Sequence, residues 1–507
     1  YNADGTSANN CDFYVPTTLY AYFKANTYKI TYMPSTPTKA ERNDNYVQGE
    51  KFSVTYTYDK AQDIAENTAF TLKGWHFEGW YSGGAYYKAG QNVVNLTDVD
   101  GAEIIFYTRW DANVYTVIYD QNTPKGTSGT VKGEMYDSSP LYDEAELAHK
   151  NTYSLVGYTF LGWAFSPEAQ KPDIYDGGVL INLTDKESGK VTLYAVWQAN
   201  EYTIQYEAYT PAGASGSAEG EAYTSSHVYD TRKSLAANAF TLTGYTFIGW
   251  AKDASGGTID YEGGESVINL ASESGAIVKL YPVWQANTYY INYAGAHPSG
   301  ATSAVSGEMQ RSSHTYDSAK NLSAVGYSLT GWHFLGWATT AGATVAEFKG
   351  GAEVKNLASE SGAEVTLYAV WQANAYTVIY NTNKPTGASG SVEGKAYTSS
   401  HVYDAESALA KNGYALAGYT FIGWSLSENG AVKYSSGEKV KNLTAAEDGE
   451  FTLYAVWQAN VYKISFDTAG GSFVSEISAT FDSTLPNAVQ PTRRGYNFCG
   501  YYSLAGG

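Results

Sequence analysis

Gly157-Tyr158-Thr159-Phe160-Leu161-Gly162-Trp163 decides how this chain is read, because the chain repeats it. The phrase returns over Gly244 to Trp250 and over Gly418 to Trp424, and variants open at Gly74, Gly331 and Gly495. A second phrase, Leu-Tyr-Ala-Val-Trp, ends at Trp197, Trp371 and Trp457, with relatives ending at Phe23, Trp110 and Trp284. These closing aromatics lie 87, 87, 87, 87 and 86 residues apart. Repeats of roughly 20 to 50 residues cannot bury a core alone and must stack as a solenoid. A repeat of this longer period can bury about 60 % of its unfolded surface and fold as a small domain.

The period predicts a tandem array of domains: residues 24–110, 111–197, 198–284, 285–371 and 372–457, flanked by half-repeats at 1–23 and 458–507. Working outward from the phrase in the third repeat, Tyr202 to Tyr206 alternates and reads as a strand. Pro211 to Ser217 is a turn-rich tip, and Ala222 to Tyr229 reads as the returning strand. Asp230 is placed as the N-cap of a short helix over Ser234 to Asn238, because its carboxylate can accept free amide hydrogens of the next turn. The same capping role falls to Asp59, Asp143, Asp317 and Asp404. Gly244 to Trp250 and Ala276 to Trp284 supply two further strands, and Val267 to Leu270 a short strand or helical turn.

The expected fold is thus α+β and β-rich, a small mixed sheet with one short helix in each repeat. Trp80, Trp110, Trp163, Trp197, Trp250, Trp284, Trp337, Trp371, Trp424 and Trp457 recur at inward positions and are assigned to the repeat cores. Between copies only a short step such as Gln198-Ala199-Asn200 intervenes. A flexible tether needs many Gly, Ser or Pro residues, so these junctions are expected to be stiff. Six compact units in line would make an elongated rod on the order of 190 Å long.

Composition narrows function by exclusion. The chain has 51 acidic against 32 basic residues and a net charge of −19, which repels nucleic-acid phosphates and anionic lipid. It has no apolar run long enough to insert in a membrane in this segment. The best enzyme-like pattern is Ser226-His227-x-x-Asp230, repeated at His314/Asp317 and His401/Asp404. The matching position is Tyr56 in the first repeat and Pro140 in the second, which no catalytic or ligand residue tolerates, so the pattern is read as structural and no enzyme is expected. Two cysteines cannot make a zinc site, and the acidic loops at Asp98–Asp100 and Glu273 lack the ligand spacing of a calcium loop, so no metal or other cofactor is expected. Asn95, Asn182, Asn321 and Asn442 stand in Asn-x-Ser/Thr sequons.

The two phrases, with the Gly-rich loop between them, resemble the Listeria–Bacteroides repeat, the B-repeat of internalin-type bacterial surface proteins. The likeness runs over nearly the whole chain. It implies a β-grasp-like fold, a place on the cell surface, a stalk or adhesive role, and no catalytic residues. The family's short Gly-Gly hairpin and Pro-Thr-Arg-x-Gly-Tyr-x-Phe entry occur only in the last copy, at Gly470-Gly471 and Pro491 to Phe498. The other copies have a longer first hairpin, which is expected to project as a β-arm.

The two half-repeats complement each other: residues 458–507 carry the first half of a unit and residues 1–23 the second. The two cysteines, Cys11 and Cys499, fall one in each half. The expectation is continuation head to tail, with further copies as partner and a disulfide from Cys499 of one copy to Cys11 of the next. The copies would be either blocks of one longer polypeptide or successive subunits. The function expected is an extracellular structural rod or filament on or between cells; the alternative is an adhesin whose long hairpins and exposed aromatics hold a surface protein or glycan.

Overall fold

A computed structural model describes residues 2, 4–7, 15–255 and 257–504. Cys11 lies outside them, so its pairing with Cys499, which is exposed with a free thiol, has no structural counterpart here. The chain divides into two compact units, Tyr1–Glu207 with Ala222–Ala237 and Tyr261–Leu280, and Ala208–Glu221 with Asn238–Asp260 and Tyr281–Gly507. The division runs through the third repeat.

The fourth repeat, within the second unit, gives the pattern. Its first strand, Thr288–Ala294, pairs antiparallel with the return strand Ser312–Thr315 and parallel with the closing strand Glu364–Ala373. The closing strand pairs antiparallel on its far side with Trp332–Ala338, the strand that carries the opening phrase. The sheet is mixed, in the order return, first, closing, phrase strand, and the fifth repeat repeats that order. In the first unit, the first repeat adds Ala85–Tyr87 beyond the phrase strand. The second repeat keeps only three strands, and isolated bridges at Val114–Leu141 and Val117–Ser138 stand where the return strand would be. Pro140 lies between those bridges; it has no N–H to give a ladder, so the strand breaks there.

Alternation explains the core. Tyr289, Ile291 and Tyr293 point inward from the first strand and Leu367, Ala369 and Trp371 from the closing strand, all around Trp337. The phrase itself breaks the alternation. Pairing shifts by one residue between Phe334 and Gly336, a β-bulge. Residues three apart on a regular strand face opposite sides, but the extra residue turns Phe334 and Trp337 to the same side, where their rings meet edge-on at 5.0 Å. Gly336 sits at φ +150° with a neighbouring carbonyl, that of Phe348, 2.2 Å from where a Cβ would stand. Phe-x-Gly-Trp is therefore a bulge signature that delivers two aromatics to one core.

The two phrases place their tryptophans differently. Trp80, Trp163, Trp250, Trp337 and Trp424 are wholly buried. Trp110 and Trp371 are also buried, while Trp197, Trp284 and Trp457 are half-buried. The indole N–H groups of Trp197, Trp284, Trp371 and Trp457 donate to backbone carbonyls of Gln121, Tyr209, Gly295 and Thr382, each at 2.9 Å. These side chains staple the root of the long first hairpin to the sheet.

The expected helix is absent from its place in every repeat. Lys320–Asn321 instead pairs with Glu353–Val354, and the other repeats carry matching two-residue pairs. Four or five residues gain too few hydrogen bonds to offset helix nucleation. The one α-helix among the described residues is Thr38–Glu41, in the first hairpin of the first repeat. Asp59, Asp143, Asp230, Asp317 and Asp404 are accordingly not N-caps. They stand at φ 57 to 60°, in the left-handed region, where an N-cap needs extended backbone.

Candidate functional site at the joints between repeats

The misread aspartates are where the chemistry gathers. Asp317 exchanges two hydrogen bonds with Asn356 of its own repeat: its N–H donates to Oδ1 at 2.6 Å, and Asn356 Nδ2 donates to its carboxylate at 2.8 Å. The other carboxylate oxygen faces the preceding repeat and accepts the N–H of Ser215 at 2.8 Å and the hydroxyl of Tyr245 at 3.1 Å. The ring of Tyr316, one residue earlier, lies on Gly244, whose missing Cβ would stand 2.1 Å from it. Gly244 is at φ +80°, so both conformation and close approach require glycine. Between them the linker Asn287 donates its N–H to Gly244 O at 2.8 Å, and Tyr316 N–H donates to Asn287 O at 2.8 Å.

This plug and socket recurs at every step between repeats. Tyr142, Tyr229, Tyr403 and Phe481 cover Gly74, Gly157, Gly331 and Gly418 in the same way. Asp230 accepts from Ser128 N–H at 3.0 Å and its hydroxyl at 2.6 Å; Asp404 accepts from Thr302 at 2.9 and 2.5 Å and from Trp332 Nε1 at 3.0 Å. Asp482 accepts from Ser389 at 2.8 and 2.7 Å. The first joint differs. Asp143 receives Trp75 Nε1 at 2.9 Å and Asn45 Nδ2 at 2.7 Å, while Asn43 reaches the Asp143 carbonyl. Lys39 on the short helix adds an ion pair to Glu144 at 2.8 Å. The single helix thus stands where the other repeats use a Ser or Thr tip.

The electrostatics follow the donors. Desolvation pushes the Asp230 carboxyl up, but the Ser128 hydroxyl and the Asn269 amide outweigh it and hold the group down to about 2. Asp317 and Asp404 are held well below the carboxylate range by the same balance of burial against neutral donors.

The enzyme-like pattern comes apart in space. His227, His314 and His401 are buried, and their Nε2 atoms meet Ser225, Ser312 and Ser399 at 2.9, 2.9 and 2.7 Å, not the serine before them. Each imidazole stacks on a core tyrosine at 5.5 Å: Tyr202, Tyr289 and Tyr376. The aspartates belong to the joints instead. His76, Glu78 and Asp111 bring possible ligand atoms within 4.8 Å of one another, and Asn113 meets His76 Nδ1 at 3.0 Å. A cavity of about 320 Å³ in the second repeat, between Pro124, Pro167 and Trp197, holds no such cluster.

The family model of the Listeria-Bacteroides repeat domain matches residues 202–271, 376–456 and 462–507. Over those residues the chain carries the Listeria-Bacteroides repeat. It is 26 % identical over 451 residues to a protein of Evansella cellulosilytica named as a Gly-rich membrane protein, and 27 % identical over 366 residues to another named as a membrane protein. These alignments cover 87 % and 70 % of this chain but 45 % of each relative, so the chain spans about half their length. Internalin H of Listeria monocytogenes is 36 % identical over 90 residues, 18 % of this chain and 15 % of that one. The Bacillus anthracis TIE protein aligns at a TM-score of 0.20 with 11 % identity, over 64 % of this chain and 62 % of that one. No helix among the described residues is long and apolar enough to cross a membrane.

Across the five repeats, sequence reasoning found the aspartates and missed their partners. Asn95, Asn182, Asn269, Asn356 and Asn442 each take the same left-handed turn and bond the aspartate. Three of them are sequon asparagines, their amides already engaged, whereas Asn321 is exposed on its two-residue strand. The signal available was a regular offset: the tip residues Ser128, Ser215 and Thr302 each precede their aspartate by 102 residues.

Proposed function

We propose that this chain is a non-catalytic, extracellular structural segment, a stalk of stiffly joined repeats that extends from a cell surface. The observation that carries this reading is the recurrence of one joint at every step. Each joint combines a backbone hydrogen bond through the linker asparagine, a ring seated on glycine and a carboxylate shared between two repeats. Such a joint resists both bending and twisting, which is what a spacer needs and what independent beads lack. The relatives named as membrane proteins support a surface location. The reading includes continuation. Val461–Ile464 has a strand neighbour on one side only among the described residues, and a closing strand of the Leu-Tyr-Ala type would complete it, from a longer polypeptide or from another copy.

An adhesin would gather exposed apolar side chains at one position in several repeats. Here the exposed cross-strand pair Leu147 and Val179 of the second repeat is replaced by Asn321 and Glu353 in the fourth. That difference favours the stalk at this pair, whereas Ile248, Leu335 and Ile422 are exposed at one shared position, the x of Phe-x-Gly-Trp, and are where an adhesive face would lie. Small-angle scattering at neutral pH tests the reading. A stalk gives a maximum dimension on the order of 190 Å and a rod-like profile. A profile of freely articulated domains overturns it.

A further inference from the structure

One face of the first repeat gathers an imidazole and two carboxylates at positions that carry no acid in the other repeats. His76 stands directly opposite Asp111 on the closing strand Glu103–Ala112, so the two share a face. Phe77 packs toward the core, and alternation turns its neighbours His76 and Glu78 the other way. Glu78 is the residue that the pairing skips at the bulge between Phe77 and Gly79. One nitrogen of His76 and one carboxylate oxygen each from Glu78 and Asp111 lie within 4.8 Å of one another. In the other repeats the Glu78 position is Leu161, Ile248, Leu335 or Ile422, and the Asp111 position is Gln198, Gln285, Gln372 or Gln458. The fold therefore needs neither carboxylate.

The surroundings prepare the imidazole as a ligand. The buried linker residue Asn113 donates its Nδ2 to Asp185 O at 2.8 Å, which leaves its Oδ1 to face His76 Nδ1 at 3.0 Å. That oxygen can only accept, so Nδ1 carries the proton and Nε2 keeps its lone pair, the arrangement found in metal-binding histidines. Glu187 of the second repeat brings a third carboxylate to 3.7 Å from the same ring, its Oε2 held by the Val114 N–H at 2.9 Å. On the far side the Tyr86 hydroxyl donates to Glu78 Oε1 at 3.2 Å, and the Arg109 guanidinium lies over the Tyr86 ring, 5.3 Å from its centre. Among the described residues no lysine or arginine forms a salt bridge with Glu78 or Asp111. Carboxylates crowded together without a paired cation repel each other, and a divalent ion between them removes that repulsion.

We propose that His76, Glu78 and Asp111 form a binding site for a divalent transition-metal ion, Zn²⁺ above all, on the outer face of the first repeat. An imidazole with carboxylates suits Zn²⁺ better than Ca²⁺ or Mg²⁺, which take oxygen ligands. Glu78 and Asp111 are exposed, so water can complete the coordination.

Calorimetric titration of the whole chain with Zn²⁺ at neutral pH, its cysteines first alkylated, tests the proposal. One ion should bind per chain. Glu78→Leu with Asp111→Gln installs the residues that the fourth repeat already carries, so the fold is kept while Zn²⁺ binding should weaken by roughly tenfold or more. Co²⁺ in place of Zn²⁺ should broaden the NMR signals of His76 before those of the other histidines. The fourth repeat supplies the converse. His333 Nδ1 meets Asn374 Oδ1 at 2.9 Å and Glu447 at 3.0 Å, but Leu335 and Gln372 stand where the carboxylates would be. Leu335→Glu with Gln372→Asp should therefore raise the count to two ions. A wild-type chain that takes up no Zn²⁺, uptake indifferent to the first double variant, broadening that spares His76, or a fourth-repeat variant that gains no ion overturns the proposal.

Discussion

Within a repeat, apolar rings do the holding; between repeats, an ionised carboxylate does. Trp337 is wholly buried and touches only its own core, with Tyr293 at 4.9 Å and Phe334 at 5.0 Å. The Asp404 side chain is buried too, 3 % exposed, but its partners are split between Asn442 and Lys441 of its own repeat and Thr302 and Trp332 of the one before. Area burial is non-directional and fixes no angle between neighbours. A carboxylate held by N–H and O–H donors from both sides fixes position and twist at once. The core makes each domain; the joint ties one domain to the next.

Breaking the core should cost most. Trp424→Ala should remove about 3 to 5 kcal/mol from the fifth repeat, read as an early transition in denaturant while the second repeat melts unchanged. Gly331→Val attacks the joint from the socket side. It sets a side chain against the Tyr403 ring at φ +74°, and should cost about 3 kcal/mol locally, with limited proteolysis appearing at the linker before Asn374. Asp404→Ala should cost about 2 kcal/mol by leaving Trp332 Nε1 and the Thr302 amide without an acceptor, seen as local exchange with Trp337 fluorescence unaltered.

Acid sharpens the comparison with the smallest effect. Burial holds His227, His314 and His401 below the ordinary value of 6.5, with Lys233 and Lys320 adding to it at the first two. A depressed histidine stays neutral when folded and takes a proton on unfolding, so its repeat is at full stability above 6.5 and loses stability as pH falls toward the folded value. Asp230, ordinarily 3.8 and here about 2, contributes stability above 3.8 that is lost as pH falls through 2. Acid should therefore loosen the cores of the third to fifth repeats before it opens any joint. The first and second repeats, with Tyr56 and Pro140 at that position, should pass the first step unaffected. Hydrogen exchange followed repeat by repeat during an acid titration checks this order.

Much of this was legible. The period, the strands and the buried Trp of Phe-x-Gly-Trp follow from composition and alternation, because those are local. The bulge was not, since a bulge differs from a regular strand by one inserted residue that alternation alone cannot see. The helix was misread because an Asp before Ser-Leu-Ala-Ala imitates a cap, and only the partner strand, as Ser266–Val267 is to Lys233–Ser234, reveals the pairing. The joint was the least legible. Ser215 and Asp317 are brought together only after two domains have folded, and a serine in a Gly-rich tip reads as turn punctuation until its acceptor is seen.

The central claim is that the carboxylate of one repeat holds the hairpin tip of the one before. The amides of Ser128, Ser215, Thr302 and Ser389 report on it directly, since each donates to the aspartate of the following repeat at 2.8 to 3.0 Å. Their hydrogen exchange, measured at neutral pH in the intact chain and again with the matching Asp→Ala change, is predicted to be slow in the first case and fast in the second. Exchange at the rate of an open loop in the intact chain would contradict the account.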